Sequence, residues 1–174
     1  ISRYDFEEND DATHKTIVNF VSRLEHWMSG YIDSAWLRAM VLAKNNGGWR
    51  TLGKDNLLIA ALACSKNYFA PAHKDNDFFY SAHQINTPDD YDLDMDIVQY
   101  FCFPQYGFAV ALRPGDVILF KPKEFHCLSK KEESYHQKDV HVTTGYIKTA
   151  HIGKNNNELP LTEQEQFLYT FPFQ

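Results

Sequence analysis

The feature that most constrains the fold is a series of short apolar segments in the second half of the chain, each bounded by turn residues. Pro104 stops one segment, and Arg113-Pro-Gly-Asp places proline and glycine where a tight turn needs them. The segments are rich in β-branched and aromatic side chains, which is typical of strands. The sequence therefore predicts strands at 97–103, 108–112, 117–120 and 140–147.

The first part of the chain has a helical pattern instead. Apolar residues recur at helical spacing over 13–28, and a second helix is expected over 33–45, where Asp33 or Ser34 can cap its start. The apolar run 57–63 fits either a buried strand or a buried helix. Helices followed by short strands predict an α+β, mainly β fold, or a β-sandwich with the helices as a cover on one sheet.

Length and composition narrow the classes of protein. The chain has 174 residues, 15% of them aromatic, and a net charge of −6. That size fits a single domain, with a helical cover at 1–50, a β core at 56–150 and a C-terminal extension at 151–174. The acidic balance argues against a stand-alone nucleic-acid binder. No apolar run is long enough to span a membrane, so no membrane partner is expected.

Three cysteines, Cys64, Cys102 and Cys127, are too few for a disulfide scaffold and form no CxxC pair. We interpret them as structural, and the low cysteine content favours an intracellular location in the cytoplasm or nucleus. Because the chain begins at Ile1, we expect an excised domain or a processed product.

The candidate chemistry lies in two histidines and one aspartate. His73 and Asp75 are two residues apart, and on an extended strand two such side chains project to the same face. His126 follows a later apolar strand and a second turn, so it can reach the same place from a distant strand. Two imidazoles and one carboxylate are the ligands of non-haem Fe(II) sites. The alternative is a set of unconnected histidines bonded to backbone, and we favour the metal site.

The order of these motifs resembles a known family. The H-x-D at His73 and Asp75, the P-G-D-V-x-x-F turn and strand at 114–120, and the distal His126 are similar to the Fe(II)- and 2-oxoglutarate-dependent dioxygenases. The resemblance covers 56–150 and implies a double-stranded β-helix, or jelly-roll, with N-terminal cover helices. It also implies that His73, Asp75 and His126 hold Fe(II), with 2-oxoglutarate and O₂ as cosubstrates and ascorbate as a reductant.

The expected cosubstrate contacts depart from the family pattern. The family pairs the far carboxylate of 2-oxoglutarate with an arginine after the distal histidine, and this chain has no arginine after Arg113. By alternation, His141 and Thr143 take the approximate place of that arginine, whereas Lys148 has the opposite parity unless a bulge intervenes. Further candidates for cosubstrate contacts are Asn67, Lys130 and Lys138.

The resemblance implies oxidation or hydroxylation of a substrate C–H bond, and one branch of the family oxidises methylated nucleic-acid bases. The net negative charge of the chain argues against a nucleic-acid substrate. A protein or a small molecule is an equally good candidate for the substrate. Two alternatives stay open: a non-catalytic jelly-roll that binds a metal or ligand, and an iron oxygenase with another cosubstrate.

The residues predicted to line the substrate site are Phe78, Phe79, Tyr80 and Tyr100. A basic rim or a merely solvated edge is expected from Lys121, Lys123, Lys130, Lys131 and Lys138.

Overall fold

The computed structural model describes residues 11–34, 37–38, 40–41, 52, 58–87 and 96–148. The chain divides into two compact units, Ile1–Leu57 with Ala150–Gln174 and Leu58–Thr149. All of the described strands belong to the second unit, whose limits fall inside the β core expected at 56–150.

The described part of the first unit contains helix α1 (Asp11–Ser29). Its apolar residues recur every three or four positions, which is the spacing of one helix face, and Val21, Leu24 and Met28 are buried. The N–H of Gly30 donates to the carbonyl of Trp27 at 3.1 Å and closes the last turn. The helix predicted at 13–28 is therefore confirmed.

A second helical stretch follows α1. Helical backbone occurs at Ser34, 37–38 and 40–41, and the N–H of Leu37 donates to the carbonyl of Asp33 at 3.1 Å. The rest of the predicted range 33–45 and the predicted extension at 151–174 lie outside the described residues. The arrangement of the helices as a cover stays a prediction. Within the described ranges, no helix combines the length and apolar character that crossing a membrane requires.

The second unit consists of antiparallel strands. The four predicted strands are confirmed, with ends that shift by no more than two residues. In the described part of the apolar run 57–63, residues 58–60 are irregular backbone that leads into a strand. The strands are β1 (Ala61–Lys66), β2 (Ala70–His73), β3 (Asp77–Asn86), β4 (Gln99–Phe103), β5 (Phe108–Leu112), β6 (Val117–Phe120), β7 (His126–Leu128) and β8 (His141–Lys148).

The strands form two four-stranded sheets, with the orders β1-β8-β3-β6 and β2-β7-β4-β5. The described structure is therefore mainly β, as predicted. Buried apolar side chains from both sheets join in one cluster, so the sheets pack face to face as a sandwich. The members of this cluster on the strands are Ile85, Phe120 and Val142 from one sheet and Phe101, Leu112 and Leu128 from the other.

The turn between β5 and β6 is built as its sequence predicts. Gly115 has φ +85°, a left-handed conformation that glycine adopts without steric cost. The Asp116 carboxylate accepts a hydrogen bond from the N–H of Arg113 at 2.8 Å. The N–H of Gly115 donates to the carbonyl of Ile85 at 2.7 Å, which ties the turn to β3 and fixes where β6 begins.

Candidate metal centre

The three predicted metal ligands converge at one end of the sandwich. His73 ends β2 and His126 begins β7, and the two residues are cross-strand partners in the register. Nε2 of His73 lies 3.6 Å from Oδ1 of Asp75, and Nε2 of His126 lies 3.4 Å from Oδ2 of Asp75. One ligand atom from each residue falls within 4.8 Å of the others. We call these three residues the triad.

Asp75 reaches the triad by a different route from the one that its spacing suggests. The prediction placed His73 and Asp75 on one extended strand, but β2 ends at His73 and Asp75 lies in the following turn. The N–H of Asp75 donates to the carbonyl of Pro122 at 2.9 Å, which holds the turn against the segment before β7. This backbone bond, rather than strand alternation, positions the carboxylate between the two imidazoles.

Backbone carbonyls orient both imidazoles. Nδ1 of His73 lies 2.7 Å from the carbonyl of Pro71, and Nδ1 of His126 lies 2.8 Å from the carbonyl of Glu124. A carbonyl can only accept, so each Nδ1 carries the hydrogen and each neutral ring keeps its lone pair on Nε2. Such an outer hydrogen bond is typical of histidines that bind metals.

The centre of the triad is therefore rich in acceptors. Two Nε2 lone pairs and the Asp75 carboxylate face one another, and none of them can donate when the rings are neutral. A cation between them, a proton or a metal ion, removes this repulsion. The donor set, two imidazole nitrogens and one carboxylate oxygen with an open side, fits a divalent transition metal such as Fe(II).

Electrostatics within the triad point the same way. When the His126 ring is protonated, its hydrogen bond to Asp75 lowers the pKa of Asp75, against the opposing effect of burial. Burial also disfavours the charged form of His126, yet the Asp75 carboxylate and the Glu124 carbonyl raise the pKa of His126. The site stabilises positive charge at its centre, whichever cation carries it.

Aromatic rings close the inner side of the triad. The Phe101 ring stacks on the His126 ring, with centroids 5.5 Å apart and planes 9° from parallel. The centroid of the Phe120 ring lies 4.8 Å from that of His126. His126 is 4% exposed, whereas His73 and Asp75 are only partly buried. The triad thus has an apolar inner wall and one side that faces solvent.

Charged groups from β3 and β8 flank the triad. Asp77 is paired with Lys148 in the register of these strands. Burial, with a smaller contribution from Asp75, raises the pKa of Asp77 to about 6. The charge of Lys148 acts on both aspartates, and its Nζ lies 5.7 Å from the centroid of the Tyr146 ring. Among the predicted cosubstrate residues, Lys148 is the one whose charge acts on Asp75 of the triad.

Deeper polar groups on the same inner face were missed by the sequence predictions. His83 of β3 is 4% exposed, its Nδ1 lies 3.0 Å from the Thr144 hydroxyl, and its ring centroid lies 5.5 Å from that of Phe101. His83 Nε2 and the Ser81 hydroxyl are buried without a hydrogen-bond partner in the described structure. Alternation along β3 would have grouped Ser81 with His83, but the strand itself was not predicted.

His141 and Thr143 do share a face of β8, as predicted, but it is the outer face. The buried Val142 and the His83-bonded Thr144 occupy the inner face, so the intervening residues point away from the sandwich interior. The structure therefore does not bring His141 and Thr143 to the triad. They line a shallow outer depression with Cys64, Ser65, Lys66 and Val142.

Asn67 lies at the end of the sandwich opposite the triad, and its side chain is used in local hydrogen bonds there. It adopts φ +52°, and its side-chain carbonyl accepts hydrogen bonds from the N–H of Val140 and from Lys131 Nζ, each at 3.0 Å. Its amide group donates to Asp139 at 3.3 Å. These contacts fix the start of β8, and they do not bring Asn67 to the triad.

The predicted aromatic walls divide into two groups. Phe78, Phe79 and Tyr80 follow Asp77 in the irregular first half of β3, where Phe79 has φ +71° and packs edge-on against Tyr80 at 4.7 Å. Tyr100 lies on the outer face of β4, because its neighbour Phe101 faces the interior. The structure therefore puts Phe101, rather than Tyr100, against the triad.

The lysines proposed as a basic rim are partly used in local contacts. Lys131 donates to Asn67 and to the carbonyl of Lys138, at 3.0 Å and 2.7 Å. Nζ of Lys130 lies 5.6 Å from the centroid of the Phe69 ring, and Nζ of Lys138 lies 5.4 Å from the centroid of the Tyr135 ring. All three lysines follow the end of β7 that is remote from His126.

Comparison of the chain with models of known protein families, with curated proteins and with solved structures gave no match.

Proposed function

We propose that this chain is a non-haem Fe(II) oxygenase that oxidises a substrate C–H bond with a 2-oxo acid, such as 2-oxoglutarate, and O₂. The observation that carries the proposal is the triad, in which His73, Asp75 and His126 present three ligand atoms within 4.8 Å. Two imidazoles and a carboxylate on one side of an iron leave the other side free for small ligands.

The strand order supports the same proposal. Eight strands wound as two Greek keys, as in a jelly-roll, would give the two orders observed here, β1-β8-β3-β6 and β2-β7-β4-β5. We infer that the sandwich is a jelly-roll of the double-stranded β-helix kind. The triad lies at one end of this sandwich, with its partly exposed side toward solvent.

When bound, Fe(II) with the 2-oxo acid and O₂ would supply the oxidising power, and ascorbate would serve to keep the metal reduced. His73, Asp75 and His126 would hold the metal, and the two backbone carbonyls that accept from their Nδ1 atoms keep both Nε2 atoms aimed at it. Phe101 and Phe120 would exclude water from the inner side.

The unpartnered groups behind the triad suit the tail of the 2-oxo acid. In the tautomer in which the Thr144 hydroxyl donates to Nδ1 of His83, Nε2 of His83 carries a hydrogen and can donate, as can the Ser81 hydroxyl. Buried donors without partners are costly, and a carboxylate would satisfy both. We propose His83 and Ser81 as the contacts of the far carboxylate, with Lys148 as the cation at the entrance.

The substrate class stays open between a methylated nucleic-acid base, a protein and a small molecule. Several lysines of the expected basic rim are engaged in contacts remote from His126, so they do not favour a nucleic acid.

The test is oxygen-dependent conversion of 2-oxoglutarate to succinate by the purified chain with Fe(II). We expect slow turnover without a substrate, its loss in His73→Ala, and a raised KM for 2-oxoglutarate in His83→Ala. His141→Ala, on the outer face of β8, is the matched control and should leave the KM unchanged. The proposed carboxylate contact would be wrong if His141→Ala raised the KM and His83→Ala did not.

The missing arginine favours a second candidate, a chain that binds a metal and does not use 2-oxoglutarate. Such a chain would be either a non-catalytic module that binds a metal or ligand, or an iron oxygenase that uses another cosubstrate. It predicts metal binding by the triad with no consumption of 2-oxoglutarate. Metal binding combined with succinate formation above that of His73→Ala would exclude this candidate.

A further inference from the structure

The outer face of the second sheet carries two cysteines as cross-strand partners. Cys102 of β4 and Cys127 of β7 are directly opposite in the antiparallel register. Their neighbours Phe101 and Leu128 are buried in the core, so both thiols point to the outer face, where they are partly exposed. Burial and the neighbouring Cys127 thiol raise the pKa of Cys102.

The register brings these residues within the range of a disulfide. Directly opposite residues of antiparallel strands have Cα atoms roughly 4.5–5.5 Å apart, and a disulfide needs about 4.4–6.8 Å. Their Cβ atoms are roughly 4.5–5.5 Å apart in such pairs, whereas a disulfide needs about 3.5–4.5 Å. Closure therefore requires a local approach of about 1 Å.

We propose that Cys102 and Cys127 form a dithiol that hydrogen peroxide oxidises to a disulfide, and that its closure weakens metal binding at the adjacent His126. The second half of the proposal rests on the proposed metal centre, and the first half does not.

The oxidation balances with one peroxide per pair. One thiol sulfur attacks the peroxide, so an S–O bond forms, the O–O bond breaks, and one water leaves. The second sulfur then displaces the hydroxyl group, so the S–S bond forms, the S–O bond breaks, and a second water leaves. Two thiols lose two electrons and two protons, and one peroxide takes them up and is reduced to two waters.

The effect on the metal follows from the shortness of β7. The strand has three residues, and Cys127 directly follows His126. Metal–nitrogen bonds tolerate only a few tenths of an ångström, whereas closing the disulfide displaces Cys127 by more than that. We expect an affinity about tenfold lower, the size of effect that altered support of a ligand produces.

The experiment treats the metal-free chain with hydrogen peroxide, removes the excess with catalase, and divides the sample. Intact mass and peptide mapping report the disulfide, and a Co(II) titration followed by visible absorption reports metal affinity. We expect loss of two hydrogens, a linked peptide containing Cys102 and Cys127, and Co(II) affinity about tenfold lower that dithiothreitol restores. Cys64→Ser should behave as wild type, whereas Cys102→Ser and Cys102→Ala should lose both effects.

Three results would contradict the proposal, and each one identifies the part that is wrong. If peroxide leaves both thiols free, or oxidises Cys64 alone, the proposed dithiol is wrong. If the disulfide forms and Co(II) affinity stays the same, the link to His126 is wrong. If the reduced chain does not bind Co(II), the proposed metal centre fails, while the mass measurement still decides whether the disulfide forms.

Discussion

The two faces of β8 carry similar polar residues and have different surroundings. The inner face presents Thr144, bonded to the buried His83, and ends at Lys148, whose charge acts on Asp75. The outer face presents the exposed His141, and Gly145 lies against Ile59 there. Residue type alone therefore does not identify a functional residue on this strand, and the direction in which the side chain points does.

The largest expected effect contrasts the two faces of β4. Phe101 is 2% exposed and contacts the rings of His83, Phe120 and His126. Replacing it with alanine leaves a cavity, and Phe101→Ala should cost about 3–5 kcal/mol of unfolding free energy. Tyr100→Ala, on the outer face of the same strand, should cost less than half as much in urea denaturation. Equal losses would break the distinction between the faces.

The next effect uses the pH dependence of stability. Burial, with a smaller contribution from the charge of His126, lowers the pKa of His83 to about 4, from an ordinary value near 6.5. Between these two pH values the unfolded chain binds one more proton at His83 than the folded chain does. Stability should therefore fall as the pH falls from about 6.5 to 4, by about 3 kcal/mol, and then level off.

His83→Gln is the control for this prediction, because glutamine keeps a polar side chain that does not titrate. The difference in unfolding free energy between wild type and His83→Gln should change across this pH window. A difference that is constant from pH 7 to 4 would show that His83 takes up its proton in the folded chain as easily as in the unfolded one.

The smallest effect tests the packing of the outer face. A Cβ added at Gly145 would lie 2.7 Å from Cδ1 of Ile59. Ile59 is completely buried, so Gly145→Ala should cost about 1–3 kcal/mol through overpacking. Ile59→Val removes Cδ1, the carbon nearest to the added Cβ. The loss of unfolding free energy in the double variant should therefore be smaller than the sum of the losses in the two single variants. Simple additivity would show that Gly145 and Ile59 do not press on each other.

The sequence predicts the strands that turn residues delimit, and it predicts the three members of the triad. Pro104 and the Arg113–Asp116 turn mark β4, β5 and β6 almost to the residue. The triad could be found because two histidines and a carboxylate are a recognisable set of metal ligands. The position of Asp75 in a turn could not, since it depends on a backbone hydrogen bond to the distant Pro122.

The inner polar groups were not predictable for a physical reason. Both faces of β8 carry buried residues, such as Val142 and Ile147, so no alternation of polar and apolar residues marks the interior. The ten-residue β3 is hidden in the same way, because polar and apolar residues are mixed on both of its faces. Deciding which face is inner required the register with neighbouring strands.

The most direct test of the central claim is the stoichiometry and affinity of Co(II) binding, measured for the reduced chain by visible absorption and calorimetry. The triad predicts one Co(II) per chain, an affinity at least about 100-fold lower in His126→Ala, and no change in the outer-face control His141→Ala. Wild-type protein that binds no Co(II), or His126→Ala protein that binds it as tightly as wild type, would contradict the assignment of His73, Asp75 and His126 as a metal centre.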